Sequence, residues 1–321
     1  MNTSRSTTRC SELTGQFTEK ALTEYSLEQV RTQSTLAEPP FSTWTRPDGS
    51  TWASFFRVGV DYLARFHELA DFTISENGKS ICAYPVPGVS KETIEHLFLN
   101  QITPLALSRQ FELVLHGSAV VLGDFAVAFL GFSGSGKSTL AASFATTGYE
   151  FLTDDGLLLK KAGQEYLALP SHPSIRLWDD SHRALIPDTA RHFQGVDYTP
   201  KNRVLADDAM VHSKQPRPLR HIYFLGDNAA DSVSISAVMG REALIETLKN
   251  SFLLDVEEQE MLSCHFKQLS TLAQQPIFFR LNYPRRYDAL PQVREAIMKH
   301  AQQAFEHDNA DQHATISPVA N

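Results

Sequence analysis

The feature that most constrains this chain is an uncharged run, Phe125-Ala126-Val127-Ala128-Phe129-Leu130, that opens directly onto Gly131-Phe132-Ser133-Gly134-Ser135-Gly136-Lys137-Ser138. A short apolar run bounded by turn residues reads as a strand buried in a sheet core. The eight residues after it match G-x-x-x-x-G-K-[ST] in full, the P-loop pattern. A helical stretch follows over 137–147, with Gly148 placed to cap it, and a further strand is expected at 150–153. Strand, loop, helix and strand make one βαβ unit of an α/β fold. In such a loop the glycines let successive N–H groups turn inward on phosphate oxygens, and the helix adds its positive N-terminal end. Gly131, Ser133, Gly134, Ser135, Gly136, Lys137, Ser138 and Thr139 are therefore the expected nucleotide-binding residues. Lys137 is expected to reach the β- and γ-phosphates and Ser138 to place its hydroxyl on Mg²⁺.

Two further elements converge on that loop. Asp154-Asp155 closes the next strand. Parallel strands of a βαβ unit end at one edge of the sheet, where ligands bind, so the pair falls beside the loop. One carboxylate can hold Mg²⁺ while the other takes a proton from an attacking hydroxyl. His116 closes the strand before Ser118–Leu122. If Gly123-Asp124 is a two-residue hairpin turn, paired positions sum to 247 and His116 lies opposite Gly131. There it can pair with an aspartate and tune its basicity.

Together, Leu115-His116-Gly117-Ser118-Ala119, the loop and the aspartate pair resemble the catalytic core of HPr kinase/phosphorylase and its kinase relatives, with the three elements in the same order. The resemblance covers roughly 111–180. It implies an α/β fold of the HPr kinase/phosphoenolpyruvate-carboxykinase type and an ATP- and Mg²⁺-dependent kinase acting on a hydroxyl, a serine of a peptide or protein. It implies Asp154 as general base with His116 beside it, Ser138 and Asp155 on Mg²⁺, and Lys137 on the phosphates. The acidic EIRG-type motif of the bifunctional members has Pro173-Ser174-Ile175-Arg176-Leu177-Trp178 as its nearest counterpart, without a Glu. That stretch is similar to an HPr-kinase-like subgroup, some of whose relatives phosphorylate ribosomal precursor peptides; it does not favour HPr as acceptor. The parent family also forms symmetric assemblies, which makes a homo-oligomer an expectation.

Arg176, Lys201 and, behind them, Arg203 are candidate cations for the transferring phosphoryl group, with solvated surface charge as the alternative. Lys201 and Arg203 read as members of a polar loop between helix-like segments. Trp178 and Pro284-Arg285-Arg286 read as packing and surface features. The histidines show no zinc-binding spacing. Two rivals to a peptide kinase stay open: a kinase of small-molecule hydroxyls, and a nucleotide-binding regulator without turnover.

The rest of the chain divides into a flexible N-terminus (1–25), an α+β module (26–110), the P-loop domain (111–306) and a disordered tail (307–321). A weak helical pattern covers 17–33, and 34–50 reads as a connection. Strands fill 52–87, with Asn77-Gly78 as a hairpin turn, and a helix capped by Ser90 runs to about Ser108. Strands at 219–225, 232–238 and 277–282 and helices near 240–251, 257–274 and 288–306 follow. Lys plus Arg total 29 and Asp plus Glu 37, a net charge of −8, which argues against a nucleic-acid binder. Asp124 interrupts the most apolar stretch, Val120–Phe132, which falls short of the roughly 20 residues a bilayer needs. The N-terminus carries no apolar signal core, and Cys10, Cys82 and Cys264 are too widely spaced for a disulfide framework. A cytoplasmic protein without a membrane partner is expected.

Overall fold

The computed structural model describes residues 24–46, 48–186, 192–193, 195–199, 201–226 and 230–314. The order begins with β1 (Glu24–Leu27), β2 (Ser42–Thr45), β3 (Thr51–Val58), β4 (Asp61–Phe66), β5 (Ala70–Ile74) and β6 (Ser80–Pro85). Next come α1 (Lys91–Leu97), a π-helical turn (Phe98–Ile102) and α2 (Thr103–Arg109). The central part holds β7 (Leu113–Leu115), β8 (Gly117–Leu122), β9 (Phe125–Leu130), α3 (Lys137–Ala145), β10 (Phe151–Thr153), β11 (Leu157–Ala162), β12 (Glu165–Leu169), β13 (Ser174–Leu177), α4 (Asp179–Leu185), β14 (His192–Phe193) and β15 (Asn202–Leu205). The chain closes with β16 (Arg217–Leu225), β17 (Ser234–Ala237), α5 (Gly240–Lys249), α6 (Gln259–Ala273), β18 (Phe278–Asn282) and α7 (Leu290–Ala314).

Among the described residues the strands form three sheets, a mixed α/β architecture. The first has six strands in the order β1-β6-β5-β4-β3-β2, and the π-turn and its flanking helices bury Ile94, Phe98 and Ile102 against it. The second runs β10-β8-β9-β16-β12-β11-β7, with β18 joined to β16 and β17 to β18. The third is a small sheet, β13-β15-β14. Alternation along β9 shows how the central sheet is covered. Val127 and Phe129 pack with Leu140 and Phe144 of α3 and Val293 of α7, whereas Ala126, Ala128 and Leu130 pack with Leu269 and Leu272 of α6. Successive side chains of a strand point to opposite faces, so one apolar run serves two helical layers. Each fully buried Phe of this layer contributes about 1.5–3 kcal/mol.

Local chemistry explains most boundaries. Ser90 accepts from Thr93 N and caps α1, as its sequence position suggests. Gly123 turns at φ 61° between β8 and β9, and the pairs run from Gly117↔Leu130 to Leu122↔Phe125, the expected register. The later helices and strands fall close to their expected places.

Four expectations change. Strands β9 and β10 are parallel in direction, but β8 lies between them, antiparallel to both. They still end at one edge. Residues 24–27 form a strand instead of continuing a helix, because they pair in parallel with β6 and backbone pairing overrides a weak periodicity; Phe17 and Leu22 lie outside the described residues. Residues 42–45, within the expected connection, form a strand against β3. The last helix extends to Ala314, through part of the stretch read as a tail, since nothing before Pro318 forbids helix; residues 315–321 lie outside the described set. No described helix is long and apolar enough to cross a membrane.

Candidate functional site

The ends of β9 and β10 and the start of β8 share one edge of the central sheet, and the glycine-rich loop leaves β9 there. Two glycines explain how the loop fits. Gly136 has φ 95°, and a Cβ on it would lie 3.0 Å from Tyr283 Oη and 3.1 Å from Arg285 Nη1. A Cβ on Gly131 would come within 2.7 Å of Ser135 Oγ. Only glycine combines that backbone with so close an approach. Lys137, the first residue of α3, turns back over the loop and donates to the carbonyls of Gly131 (2.7 Å) and Phe132 (3.2 Å). Burial lowers its pKa to about 8; Asp155 and Asp154 oppose the shift and Lys201 adds to it. Ser135 is buried and its hydroxyl has no partner.

His116 stands next to the loop, as the hairpin register requires. Its N–H donates to the Asn250 carbonyl, and Asn250 Oδ1 accepts from Gly131 N at 3.1 Å. Asn250, just past α5, thus ties His116 to the first residue of the loop. His116 Nδ1 lies 3.2 Å from the carbonyl of Asp155. Burial, then Lys137, push its pKa down to about 4 against Asp155, so the ring is neutral near pH 7.

The two carboxylates differ in kind. Asp154 Oδ1 accepts from Ser118 Oγ (2.5 Å) and Ser138 Oγ (2.9 Å), and Oδ2 accepts from Arg176 N at 3.0 Å. Burial and the neighbouring Asp155 raise its pKa, while these three hydrogen bonds oppose the rise. Asp155 follows at φ 68°, a left-handed conformation that aspartate adopts at a cost. That turn sends its carboxylate to the cavity wall. Burial alone would raise Asp155; His116, Arg176, Lys201 and His96 outweigh it and hold it at about 2.

A cavity of about 750 Å³ opens at this edge. His116, Lys137, Ser138, Asp155, Arg176 and Lys201 all line it, together with Ser133–Gly136 and Thr139 of the loop and its helix. Arg176 sits on β13, 7% exposed, with Nη1 3.8 Å from Asp155 and Nε without a partner. Asp154 does not line the cavity; it braces Ser138 from below. Arg203 lies on a strand, β15, where it pairs with Arg176 and hydrogen-bonds Ser174 and His172. The polar-loop reading missed this because Asn202–Leu205 becomes a strand only by pairing with β13 and β14.

The structure adds residues that the sequence reading set aside. Trp178 is 44% exposed, lines the cavity and has Lys201 Nζ 5.5 Å from its ring. Arg285 and Arg286 line it too, and Arg285 Nε and Nη1 have no partner. Gln101 reaches the wall from the π-turn, and Asn100 Nδ2 lies 3.4 Å from Asp155 Oδ2. An arginine pair after a proline carries no local signal for this; only the packing of the turn between β18 and α7 against Gly136 does.

Chemically the cavity offers two lysines, Lys137 and Lys201, four arginines and the carboxylates of Asp155, Asp179 and Asp180. The cations suit a polyanion, and a carboxylate among them suits a hydroxyl that gives up a proton. No three His, Cys, Asp or Glu side chains cluster as a metal cage among the described residues. Ser138 and Asp154 nevertheless place two hard oxygen donors together, which suits a Mg²⁺ that keeps waters and phosphate oxygens as its other ligands.

No family model matches the chain, and no curated protein matches it. Among solved structures the chain is similar to the Hpr(Ser) kinase/phosphatase from Coxiella burnetii, at 12% identity and a TM-score of 0.32, over 60% of this chain and 98% of that one.

Proposed function

We propose that this chain is a phosphotransferase that moves the γ-phosphoryl group of Mg·ATP to a hydroxyl, a serine of a peptide or protein. The observation that carries the reading is the separation of the two carboxylates. Asp154 is bonded to the hydroxyl of Ser138, while Asp155 faces the same cavity between His116 and Arg176. One serves the cation and the other is left for the acceptor.

This exchanges the roles that the resemblance implies for the pair. The carboxylate that engages the loop serine is the one suited to Mg²⁺, so Ser138 and Asp154 would hold it. A bound Mg²⁺ supplies charge neutralisation at the β- and γ-phosphates. Lys137 gives up its two carbonyl partners and binds phosphate oxygens. Asp155 takes the proton of the acceptor hydroxyl as its oxygen bonds to the γ-phosphorus; the bond from phosphorus to the bridging oxygen breaks and ADP leaves. Arg176 and Lys201 stabilise the charge on the phosphoryl oxygens in transit. His116, neutral, supports the Asp155 backbone.

The test combines calorimetric Mg·ATP binding with transfer of labelled γ-phosphate to serine peptides and to small hydroxy compounds. Lys137→Met should lose nucleotide binding and transfer. Asp155→Asn should keep binding and lose about 10²–10⁴ in rate. Asp154→Asn should raise the Mg²⁺ requirement. An Asp155→Asn protein as active as the wild type would sink the reading, and tight binding with no transfer to any acceptor would mark a nucleotide sensor instead.

A further inference from the structure

We infer that the N-terminal sheet and its helices are a working part of the phosphotransfer site, with Asn100 and His96 as positioning residues for the Asp155 carboxylate. This rests on the reading of Asp155 as the base.

The argument starts from what holds Asp155. Asp154 has three hydrogen-bond donors on its two oxygens. Asp155, one residue on, has one donor among the described residues, the amide of Asn100 at 3.4 Å, and one ion-pair partner, Arg176 at 3.8 Å. A carboxylate at the end of a left-handed residue has torsional freedom that must be removed if it is to meet a hydroxyl in a fixed place. Asn100 is the neutral group placed to do so.

The placement of Asn100 has a local cause. It sits in the π-turn between α1 and α2, where one residue more per turn rotates the side chains out of α-helical register. Thr103 Oγ1 donates to the Phe98 carbonyl at 2.8 Å and steadies the widened turn. The neighbouring Gln101 lines the cavity as a result. π-Turns of this kind occur often at functional sites, and here the turn is what links the N-terminal sheet to the phosphate edge.

Behind Asn100 stands a directed chain. Its second amide N–H meets His96 Nε2 at 2.8 Å. His96 is 1% exposed, and burial, followed by the charge of Arg176, keeps it well below its ordinary pKa, so the ring is neutral. With Nε2 accepting, Nδ1 carries the proton and donates to Tyr198 Oη. Tyr198 packs on Trp52 of β3 with ring centroids 4.6 Å apart. Next to it, Asp197 accepts from Ser90 N, Ser90 Oγ and Thr93 Oγ1 at the start of α1. The chain Asp155–Asn100–His96–Tyr198 thus ends against the N-terminal sheet. A hydrocarbon at position 100 could pack as well; only an amide can donate to a carboxylate and to an imidazole at once.

The test uses the full chain and reads the rate of γ-phosphate loss from saturating Mg·ATP, to water or to a hydroxyl acceptor that the wild type uses, with Asp155→Asn as reference. Asn100→Ala should slow turnover about tenfold to a hundredfold, with the Mg·ATP dissociation constant within about twofold of wild type. Asn100→Asp is isosteric but places a second carboxylate against Asp155, so it should be slower than Asn100→Ala. A residue needed only for packing would give the opposite order, with the isosteric variant nearer wild type. If the charged variant does not fold, Asn100→Ala decides alone. A wild-type rate in Asn100→Ala beside a slow Asp155→Asn overturns this inference and leaves the phosphotransferase reading standing. A wild-type protein that binds Mg·ATP and passes γ-phosphate neither to water nor to any hydroxyl acceptor, or a fast Asp155→Asn, overturns that reading and this inference with it.

Discussion

Arg65 in the N-terminal sheet and Arg176 at the phosphate edge are equally buried, each 7% exposed, yet their surroundings are opposite. Arg65 grips Asp71 with two bonds of 2.8 Å and donates a third to the Ser34 carbonyl at 2.7 Å. Arg176 has its nearest carboxylate at 3.8 Å and an unpartnered Nε. A buried guanidinium with a bond on each of its three nitrogens is part of the scaffold. One left short of acceptors carries a cost that the fold does not recover internally. The difference teaches where an anion from outside the chain is expected: at the edge where cations are under-satisfied. Arg285, with Nε and Nη1 unpartnered beside Gly136, belongs with Arg176.

Four experiments press on that contrast. The largest effect is expected in the scaffold. Arg65→Met leaves Asp71 buried without its main partner and should cost about 3–5 kcal/mol of stability; Arg65→Met with Asp71→Met should recover most of it, read by denaturant unfolding. Arg176→Met should behave in reverse: phosphoryl transfer falls about 10²-fold, while the thermal midpoint stays level or rises because an ill-paired charge is gone. If Arg176→Met unfolds as readily as Arg65→Met, the two arginines are not different in kind.

A third case sharpens the comparison by avoiding the charge altogether. His221, 4% exposed with Nδ1 unpartnered, is pushed down to about 4 by burial, then by His300 and Arg220. Between pH 6.5 and 4 the unfolded chain protonates this residue and the folded one does not. Stability is therefore full above about pH 6.5 and declines as pH falls, by about 1.4 kcal/mol per pH unit from this group. Thermal melts across that window should show a shallower acid slope for His221→Phe than for wild type; an unchanged slope would mean that His221 is already charged in the fold. The smallest effect belongs to Arg285→Gln. It should weaken Mg·ATP and Mg·ADP binding alike, by about tenfold, with single-turnover rate at saturating ATP retained. Calorimetry with both nucleotides measures it, and equal affinities for variant and wild type would return Arg285 to the surface.

The sequence by itself determined the features whose causes are local. The apolar run of β9, the glycines after it and Lys137 at the head of α3 lie within a few residues of one another, and Gly123-Asp124 sets the β8–β9 register that puts His116 beside Gly131. Only the tertiary structure decided the rest. Whether Asp154 or Asp155 faces the cavity turns on a left-handed φ at Asp155 and on Ser118 reaching across from β8. Arg203 became a strand residue only when β13 supplied a partner. Asn100, Asn250 and Arg285 arrive from segments far apart in the chain, and nothing in their own neighbourhoods marks them. The physical reason is the range of the forces: turn chemistry and periodicity act over a few residues and are written in them. The choice of which charges are satisfied and which are left for a ligand is made by packing, and it exists only once distant elements meet.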